Sequence, residues 1–298
     1  MSGRLPAWFK QKLPDPKAMG RITSLVEGSS LHTICESALC PNSGECFARS
    51  TATFLILGDV CTRHCTFCAV KKGSPPVIDP DEPAHVLDAG GALGLRYAVI
   101  TSVTRDDLAD GGASHFASVV NSLHAGGVSA EILVPDFQGS LDSLRSVVAS
   151  HPEVLNHNVE TVPRLYSDVR PEAGYRRSLE LLSRAKQTDP GMVTKSGLMV
   201  GLGETDDEVV QVMMDLRQVS CDIITIGQYL QPTPRHHPIE RFVPPSQFIE
   251  YARIAGEMGF AGVSSAPLVR SSYHAAELFE EAKARMSGPH GAILSHKA

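Results

Sequence analysis

The sequence predicts an α/β fold, a partial six-stranded relative of the TIM barrel in which parallel strands alternate with helices. From residue 51 onward, short apolar runs rich in β-branched residues alternate with segments of 3.6-residue periodicity. No glycine fingerprint of a doubly wound nucleotide-binding sheet accompanies them. Polar residues gather just after the predicted strands, where barrels of this kind place their chemistry. A chain of 298 residues suits one such domain.

Six predicted strands are each followed by a predicted helix, which implies right-handed βαβ units and a parallel sheet. The predicted strands are Thr51–Gly58, Tyr97–Val103, Ala130–Pro135, Val154–Val159, Ser196–Leu202 and Cys221–Leu230. The predicted helices are His85–Leu93, His115–Leu123, Leu141–Ala149, Tyr175–Ala185, Asp207–Val219 and Ser246–Met258. We place the barrel at residues 51–262, between an N-terminal arm and cysteine loop (1–50) and a C-terminal segment with a helix and tail (263–298).

A cysteine loop, Cys61-Thr-Arg-His-Cys65-Thr-Phe-Cys68, follows the first predicted strand. Three thiols within eight residues can reach three corners of one iron–sulfur cubane, and no fourth cysteine lies nearby. One iron would then keep an open position, which is where chemistry enters a metal site. A C-x2-C pair is also typical of structural zinc or of a redox pair, and His64 could serve as a zinc ligand. The loop alone leaves these alternatives open.

A second set, Cys35, Cys40 and Cys46, lies upstream in a stretch whose Pro41 and Gly44 predict a turn-rich loop. Six of the seven cysteines therefore crowd into residues 35–68, which in a cytosolic protein favours metal binding over disulfides. Two triads that each lack a fourth member favour two clusters, because a single zinc site would leave cysteines over.

Composition argues against several classes of partner. The net charge is −6 and no basic block stands out, so neither nucleic acid nor an anionic membrane is an expected partner. No apolar run reaches the roughly 18 residues of a membrane helix. The first 17 residues lack an apolar signal core and contain three prolines. We therefore expect a cytoplasmic metalloprotein.

Asn158 and Glu160 alternate with apolar residues along the fourth predicted strand, so both should point into the barrel. Buried amides and carboxylates need partners, and the two hydroxyls of a ribose would provide them. Thr104 follows the second strand and Lys195 precedes the fifth, in positions that make them further candidate ligand contacts.

Other polar or glycine-rich positions have simpler interpretations. The pair His236 and His237 lies in a proline-rich loop predicted over the barrel mouth, where metal ligation and simple exposure both remain open. Gly201-Leu-Gly203 indicates a tight turn or a close backbone approach rather than a phosphate loop. Capping of the following helix is an alternative role for Asp106, Asp107, Thr205 and Asp206.

Together these motifs resemble the lipoyl synthase family of radical S-adenosylmethionine (SAM) enzymes, over about residues 31–276. The resemblance rests on both cysteine triads at their spacings and on the C-terminal Arg270-Ser-Ser-Tyr273. It also rests on Thr-Arg-Asp-Asp-Leu-Ala-Asp-Gly-Gly-Ala, Asn-His-Asn-Val-Glu-Thr, Lys-Ser-Gly-Leu-Met-Val-Gly-Leu-Gly-Glu and Ile-Gly-Gln-Tyr-Leu-Gln-Pro-Thr. It implies a barrel of the radical SAM type whose N-terminal and C-terminal extensions cover the mouth.

The resemblance also implies two [4Fe–4S] clusters. The first would be held by Cys61, Cys65 and Cys68 and would bind SAM, with candidate SAM contacts at Phe67, Thr104, Asn158, Glu160 and Lys195. An auxiliary cluster would be held by Cys35, Cys40 and Cys46, with a serine of Arg270–Tyr273 as its fourth ligand. We favour Ser272, although the sequence leaves Ser271 open.

The implied reaction inserts two sulfur atoms, at C6 and C8 of an octanoyl chain carried on a lysine of a lipoyl carrier domain. The auxiliary cluster supplies the sulfur, and each insertion consumes one SAM. Those C–H bonds are not acidic, so the reaction needs a cofactor-derived radical. The implied partners are an octanoylated 2-oxo-acid dehydrogenase subunit or glycine-cleavage carrier, a ferredoxin or flavodoxin as electron donor, and an iron–sulfur carrier that repairs the cluster.

Two alternatives come from different classes. Another sulfur-inserting radical SAM enzyme, of the biotin synthase or methylthiotransferase kind, would share the loop at Cys61. It is not expected to have the triad at Cys35 together with the terminal serine. A non-enzymatic zinc or iron–sulfur carrier would need exposed ligands and no substrate barrel, so the polar strand ends argue against it.

Overall fold

The computed structural model describes residues 5–9, 20, 31–38, 40, 42–48 and 53–288. Much of the expected N-terminal arm lies outside these residues, as do Thr51 and the expected tail beyond residue 288. Within the described residues, the main sheet has eight strands in the linear order β1-β2-β5-β6-β7-β8-β9-β10. Strand β1 pairs antiparallel with β2, and all the other pairs are parallel.

The bounds of these strands follow the prediction from β2 to β9. The main sheet comprises β1 His32–Thr33, β2 Thr53–Ile56, β5 Tyr97–Ser102, β6 Ser129–Leu133, β7 Val154–Asn156, β8 Val193–Val200, β9 Ile223–Gln228 and β10 Gly262–Ser265. A separate two-stranded sheet consists of β3 Val60–Cys61 and β4 Lys71–Lys72. The prediction of six parallel strands in a partial barrel is confirmed.

Each pair of consecutive parallel strands is joined through a helix on the outside of the sheet. The helices are α1 Ile34–Ser37, α2 Ser43–Ala48, α3 Glu82–Leu93, α4 Ala113–Ala125, α5 Leu141–Val148, α6 Tyr166–Val169, α7 Tyr175–Thr188, α8 Asp206–Gln218, α9 Pro245–Glu257 and α10 Ala275–Ser287. Short 3-10 turns occupy Ala7–Phe9, Phe137–Gly139 and Pro163–Leu165. In the part of the chain that the structure describes, none of the helices has the length and apolar character to cross a membrane.

The strands form where they do because both of their faces are covered. Apolar β-branched residues such as Ile100, Ile132 and Ile224 are completely buried against the helices. Local signals then set the helix starts. Thr205 caps α8 in a reciprocal capping box with Glu208, so its predicted capping role is confirmed.

The structure adds a seventh parallel strand, β10, which the sequence did not predict. It pairs with β9 in a register that sets Gly262 opposite Ile223. Its sequence, Gly-Val-Ser-Ser, contains one β-branched apolar residue and no alternation, so nothing local distinguishes it from a loop. The boundary that we placed at residue 262 therefore falls at the start of a sheet strand.

The two extensions meet at the open side of the barrel, between edge strands β1 and β10. The Cys35–Cys46 loop follows β1, and residues 268–274 follow β10. Asn42 Nδ2 donates to Leu268 O over 2.6 Å, and Tyr273 OH donates to Glu45 Oε1 over 2.8 Å. The extensions therefore meet beside the open side of the barrel, and residues 267–271 also pass over the carboxyl ends of β7 and β9, so the predicted cover at the mouth is confirmed. Open sheet edges need cover of this kind.

The C-terminal helix α10 closes the opposite, amino-terminal end of the barrel. Its Leu278, Phe279 and Ala282 pack against the first residues of three strands, Val154, Val193 and Ile223. The Phe279 ring also lies 5.9 Å from the ring of Tyr97, which begins β5. This helix therefore supports the floor of the barrel and not its mouth.

Replacing Phe279 by Ala should lower the free energy of unfolding by about 3–5 kcal/mol, because a buried aromatic is lost and a cavity remains. The measurement is urea denaturation. The matched control is Glu281→Ala, an exposed position on the same helix, which should change stability by less than about 0.5 kcal/mol. Equal effects of the two changes would contradict the role assigned to α10.

Candidate active site

A sharp turn leads from β2 into the Cys61 loop. Leu57, directly after β2, has a φ of 68°, a value that non-glycine residues rarely adopt. Its N–H donates to Glu82 Oε2 over 2.9 Å, and the same oxygen lies 2.6 Å from His115 Nε2. A Cβ on Gly112 would lie 2.3 Å from a Leu57 methyl group, so only glycine fits there. The turn is therefore fixed by a buried polar pair and by close packing.

The three thiols of this loop lie close enough to act on one another electrostatically. Burial, with smaller contributions from the neighbouring sulfurs of Cys65 and Cys61, raises the pKa of Cys68 to about 12. Cys61 Sγ also accepts from two backbone N–H groups, Arg63 N at 3.5 Å and Thr104 N at 3.4 Å. A purely thiolate set with N–H donors to sulfur suits an iron–sulfur cluster.

Arg63 anchors the loop to two strand ends. Its guanidinium, only 4% exposed, makes two hydrogen bonds to Asp106, at 2.7 and 2.9 Å, and one to Asp136 at 2.6 Å. Asp106 follows β5 and Asp136 follows β6. Burial opposes ionisation of Asp136, but Arg63 outweighs it and holds the pKa of that carboxyl below its usual value. Asp106 thus acts as an ion-pair partner.

Further hydrogen bonds fasten the loop on its other sides. Thr66 N donates to Val169 O over 3.0 Å, and His237 N donates to Thr66 O over 3.0 Å. His236 Nε2 lies 3.1 Å from Cys68 O, so both histidines contact the loop through hydrogen bonds. The ring of His64 pairs with Glu172 and its side chain is 65% exposed. The histidine that we considered as a zinc ligand therefore faces solvent.

Asn158 and Glu160 come together just beyond β7, which ends at Asn156, and not along the strand as the alternation predicted. Asn158 Nδ2 donates to Glu160 Oε1 over 3.0 Å. Glu160 has a φ of 63° and bridges to β8, donating to Gly197 O and accepting from Met199 N. Burial raises the pKa of the Glu160 carboxyl, and the charge of Arg170 opposes the shift. Strained backbone of this kind is common at functional sites.

Arg170 is a residue that the sequence analysis missed. Its Nη1 donates to Asn158 O over 2.8 Å, and the guanidinium carbon lies 5.5 Å from the centre of the Tyr166 ring. Its charge also acts on Cys65 and Glu160. Its buried Nε has no hydrogen-bond partner among the described residues. The arginine lies between two helices, where no pattern in the sequence distinguishes it.

Two other candidate SAM contacts, Thr104 and Phe67, lie at the Cys61 loop and contact it in different ways. Thr104 reaches the loop through its main chain, since its N–H donates to Cys61 Sγ and its carbonyl accepts from Thr62 N over 3.1 Å. Phe67 is partly buried and packs against the barrel core. Both therefore belong to the region around the Cys61 loop.

Lys195 is not brought to the Cys61 loop. Its ammonium is completely buried and donates to Glu131 Oε1 over 2.8 Å, and Tyr97 OH donates to the other oxygen of that carboxylate over 2.9 Å. Both Tyr97 and Lys195 belong to the first residues of their strands. This lysine therefore belongs to a polar layer at the floor of the barrel, above α10. The charged Glu131 within an otherwise apolar strand is the sequence feature that could have indicated a buried ion pair.

The second triad lies beside the C-terminal segment. Burial, aided by the nearby Cys40, raises the pKa of the Cys35 thiol to about 11. Burial lowers the pKa of Arg270, and the charges of Cys40 and Glu160 oppose the shift. Ser271 Oγ donates to Asn158 Oδ1 over 2.9 Å.

Two glycines make room for this segment inside the barrel. A Cβ on Gly227 would lie 2.0 Å from Val269 O. A Cβ on Gly197 would lie 2.6 Å from Thr225 Oγ1 and 2.9 Å from Ser271 Oγ. Any larger side chain at either position would displace the segment, so these glycines are required by its close approach.

Both triads offer thiols, the ligand type that iron–sulfur clusters take. Among the described residues, no three His, Cys, Asp or Glu side chains converge as ligands of one metal ion. The thiols of Cys61, Cys65 and Cys68 act on one another electrostatically, as do those of Cys35 and Cys40. Deprotonation of buried thiols would accompany metal binding at either group.

Comparisons with known proteins agree with this geometry. The profile of the Radical SAM superfamily matches residues 55–216. The chain is 57% identical to the lipoyl synthase of Syntrophotalea carbinolica over 274 residues, which cover 91% of this chain and 88% of that protein. It is 54% identical to the lipoyl synthase of Caldanaerobacter subterraneus subsp. tengcongensis over 276 residues, covering 92% and 97%.

Similarity to solved structures supports the fold. The FeFe-hydrogenase maturase HydG from Carboxydothermus hydrogenoformans superposes with a TM-score of 0.56 at 14% identity, covering 89% of this chain and 68% of that one. Methylornithine synthase superposes with a TM-score of 0.53 at 14% identity, covering 83% and 71%.

Replacing Arg63 by Ala should destabilise the protein by about 3–5 kcal/mol, because the buried carboxylate of Asp136 would lose its closest charged partner and keep only Gln138 N and the more distant Arg177. Arg164→Ala is the matched control, since that arginine makes the same two-nitrogen contact with Glu208 at the surface. Its loss should leave the unfolding transition close to that of the parent. The measurement is chemical denaturation at neutral pH, and similar shifts in both variants would refute the anchoring role of Arg63.

The Arg63–Asp136 pair also predicts a pH dependence. Because the folded-state pKa of Asp136 is lowered, its contribution to stability is present above the usual value of 3.8 and is lost as pH falls through the folded pKa. The free energy of unfolding of the parent should therefore decrease between about pH 5 and pH 2. In Arg63→Ala this decrease should be smaller. Denaturation curves at several pH values test this, and parallel profiles would contradict it.

Proposed function

The chain belongs to the lipoyl synthase family within the radical SAM superfamily, and from that premise we propose which of its residues carry the reaction. The activity is insertion of two sulfur atoms at C6 and C8 of a protein-bound octanoyl group, with SAM and a [4Fe–4S] cluster as cofactors. One observation carries the assignment of residues: the Arg270–Tyr273 segment contacts the Asn158 region at one end and the Cys35–Cys46 loop at the other.

Cys61, Cys65 and Cys68 would hold the SAM cluster. The rigid turn at Leu57 and the anchors at Arg63 present their thiols beside the ends of β5 and β6. When bound, the cluster and SAM supply the radical that removes hydrogen atoms from unactivated C–H bonds. The protein positions the reactants and excludes water from the radical.

Asn158 and Glu160 are the proposed contacts of the SAM ribose. Glu160 is an acceptor for hydroxyl groups, and Arg170 holds the Asn158 main chain while placing a positive charge beside that carboxylate. Thr104 and Phe67 would flank the same site from the Cys61 loop. Lys195 is left out of this set, because its ammonium is paired with Glu131 in the barrel floor.

Cys35, Cys40 and Cys46 would hold the auxiliary cluster and thereby the sulfur to be inserted, with Ser272 as the fourth ligand. Ser272 is partly buried, and its hydroxyl has no hydrogen bond among the described residues. A hard alkoxide beside three soft thiolates would be the most labile of the four ligands. That lability suits a cluster that must be dismantled.

The substrate is an octanoylated lipoyl carrier. We propose that it is the carrier domain of a 2-oxo-acid dehydrogenase subunit or a glycine-cleavage carrier protein. A ferredoxin or flavodoxin would supply electrons, and an iron–sulfur carrier would rebuild the auxiliary cluster. The protein's own share is a barrel that accepts an eight-carbon chain while the carrier docks at its rim.

The first test is the intact mass of an octanoylated carrier peptide. The peptide is incubated anaerobically with reconstituted protein, SAM and a strong reductant. Replacement of two hydrogens by two sulfurs is the expected result. Formation of 5′-deoxyadenosine with an unchanged peptide would argue for a different sulfur acceptor. No SAM cleavage from a sample holding both clusters would overturn the proposal.

Removing the two triads one at a time should have different effects on SAM cleavage and on sulfur insertion. Replacing Cys61, Cys65 and Cys68 by Ala should abolish SAM cleavage, whereas replacing Cys35, Cys40 and Cys46 should preserve cleavage and abolish sulfur insertion. Cys221→Ala is the matched control, because that buried cysteine lies apart from both loops and bonds backbone carbonyls. Its activity should stay near that of the parent. Loss of SAM cleavage only in the second variant would reverse the assignment.

A further inference from the structure

The two serines of the C-terminal motif are placed differently. Ser271 Oγ donates to Asn158 Oδ1 over 2.9 Å, and Asn158 Nδ2 donates to Glu160 Oε1 over 3.0 Å. Asn158 is only 7% exposed. The bond to the Glu160 carboxylate fixes which side of the Asn158 amide carries the oxygen. A polar chain therefore runs from the C-terminal segment to the proposed SAM contacts.

Ser271 is poorly suited to ligate iron in this position. An alkoxide at Ser271 would face the amide oxygen of Asn158, and two acceptors at that distance repel each other. As a neutral hydroxyl it makes a normal hydrogen bond with the same oxygen. The Ser271 hydroxyl is therefore committed to Asn158 in this geometry and is not directed at the second triad.

Ser272 lies between two fixed neighbours. Ser271 is bonded to Asn158, and Tyr273 OH is bonded to Glu45, which lies between Cys40 and Cys46 in the sequence. Gly197 and Gly227 leave the space that the segment occupies, so its path across the barrel is sterically set. Fixing both neighbours restricts the backbone of Ser272 beside the second triad.

We propose that Ser271 is a positioning residue: its bond to Asn158 holds the C-terminal segment so that Ser272 reaches the auxiliary cluster. The inference rests on the proposed function, in which Ser272 is that ligand. The same bond couples the two sites, because a ligand that orders Asn158 also orders the segment. Such coupling is reciprocal between the sites.

Hydrogen exchange of the metal-free protein tests the bond itself. Ser271→Ala should speed amide exchange at residues 269–273 by roughly 2- to 10-fold, the range expected for one net hydrogen bond. Ser265→Ala is the matched control, since Ser265 Oγ donates to Phe248 O over 2.8 Å on β10. It should leave exchange at residues 269–273 unchanged. Equal exchange in Ser271→Ala and the parent would overturn the proposal.

Spectroscopy of the auxiliary cluster tests the positioning role. In a background with Cys61, Cys65 and Cys68 replaced by Ala, only the second triad can give a cluster signal. Ser272→Ala should shift the electron paramagnetic resonance spectrum of the reduced cluster as a whole, whereas Ser271→Ala should give a mixture of the parent and shifted spectra. A complete shift in Ser271→Ala with a parent-like Ser272→Ala would make Ser271 the ligand and overturn the proposal.

The coupling is tested with the protein that holds both clusters. SAM should slow exchange at residues 269–273 in the parent and in Ser265→Ala, but not in Ser271→Ala. Protection by SAM in all three would exclude the Ser271–Asn158 bond as the link. Failure of the parent to assemble any cluster on the second triad would instead contradict the proposed function. The exchange result on the metal-free protein would still test the Ser271–Asn158 hydrogen bond.

Discussion

A partial barrel has two unpaired sheet edges, and the need to cover them organises this protein. Here the edges are β1 and β10, and the chain segments that leave them carry the Cys35 triad and the Arg270–Tyr273 motif. Backbone groups at an open edge would otherwise bind water or another chain. Because the same two segments cover the opening, residues more than 200 positions apart in the sequence come into hydrogen-bond contact.

The interior of the barrel is layered by this arrangement. Lys195 and Glu131 form a completely buried ion pair at the floor, supported from below by α10. One layer higher, Gly197 leaves room for Ser271 against Asn158. Burying a charge is costly unless its partner is held well, so the floor must form as a unit with the helix beneath it.

Three arginines determine the electrostatics around the Cys61 loop. Thiolates that hold a cluster would concentrate negative charge at the strand ends, and the charge of Arg170 acts on Cys65 as that of Arg270 acts on Cys40. Arg63 has a different role, because its guanidinium forms ion pairs with Asp106 and Asp136. One arginine thus fixes the loop, while two others balance charge on either side of Glu160.

The sequence alone determined the alternation of strands and helices and the two cysteine triads. These are local properties, since periodicity and spacing along the chain encode them directly. The resemblance to the lipoyl synthase family rested on the same short motifs. Family membership then agreed with these expectations.

Only the tertiary structure decided what depends on contacts between distant segments. Strand β10 is too polar and too short to stand out, and it exists because β9 offers an edge. Lys195 resembled a ligand contact until Glu131 was found beside it, and Arg170 had no pattern at all. The proposed difference between Ser271 and Ser272 rests on the contact of Ser271 with Asn158, more than 100 residues away. Such partners are fixed by packing, which no local pattern records.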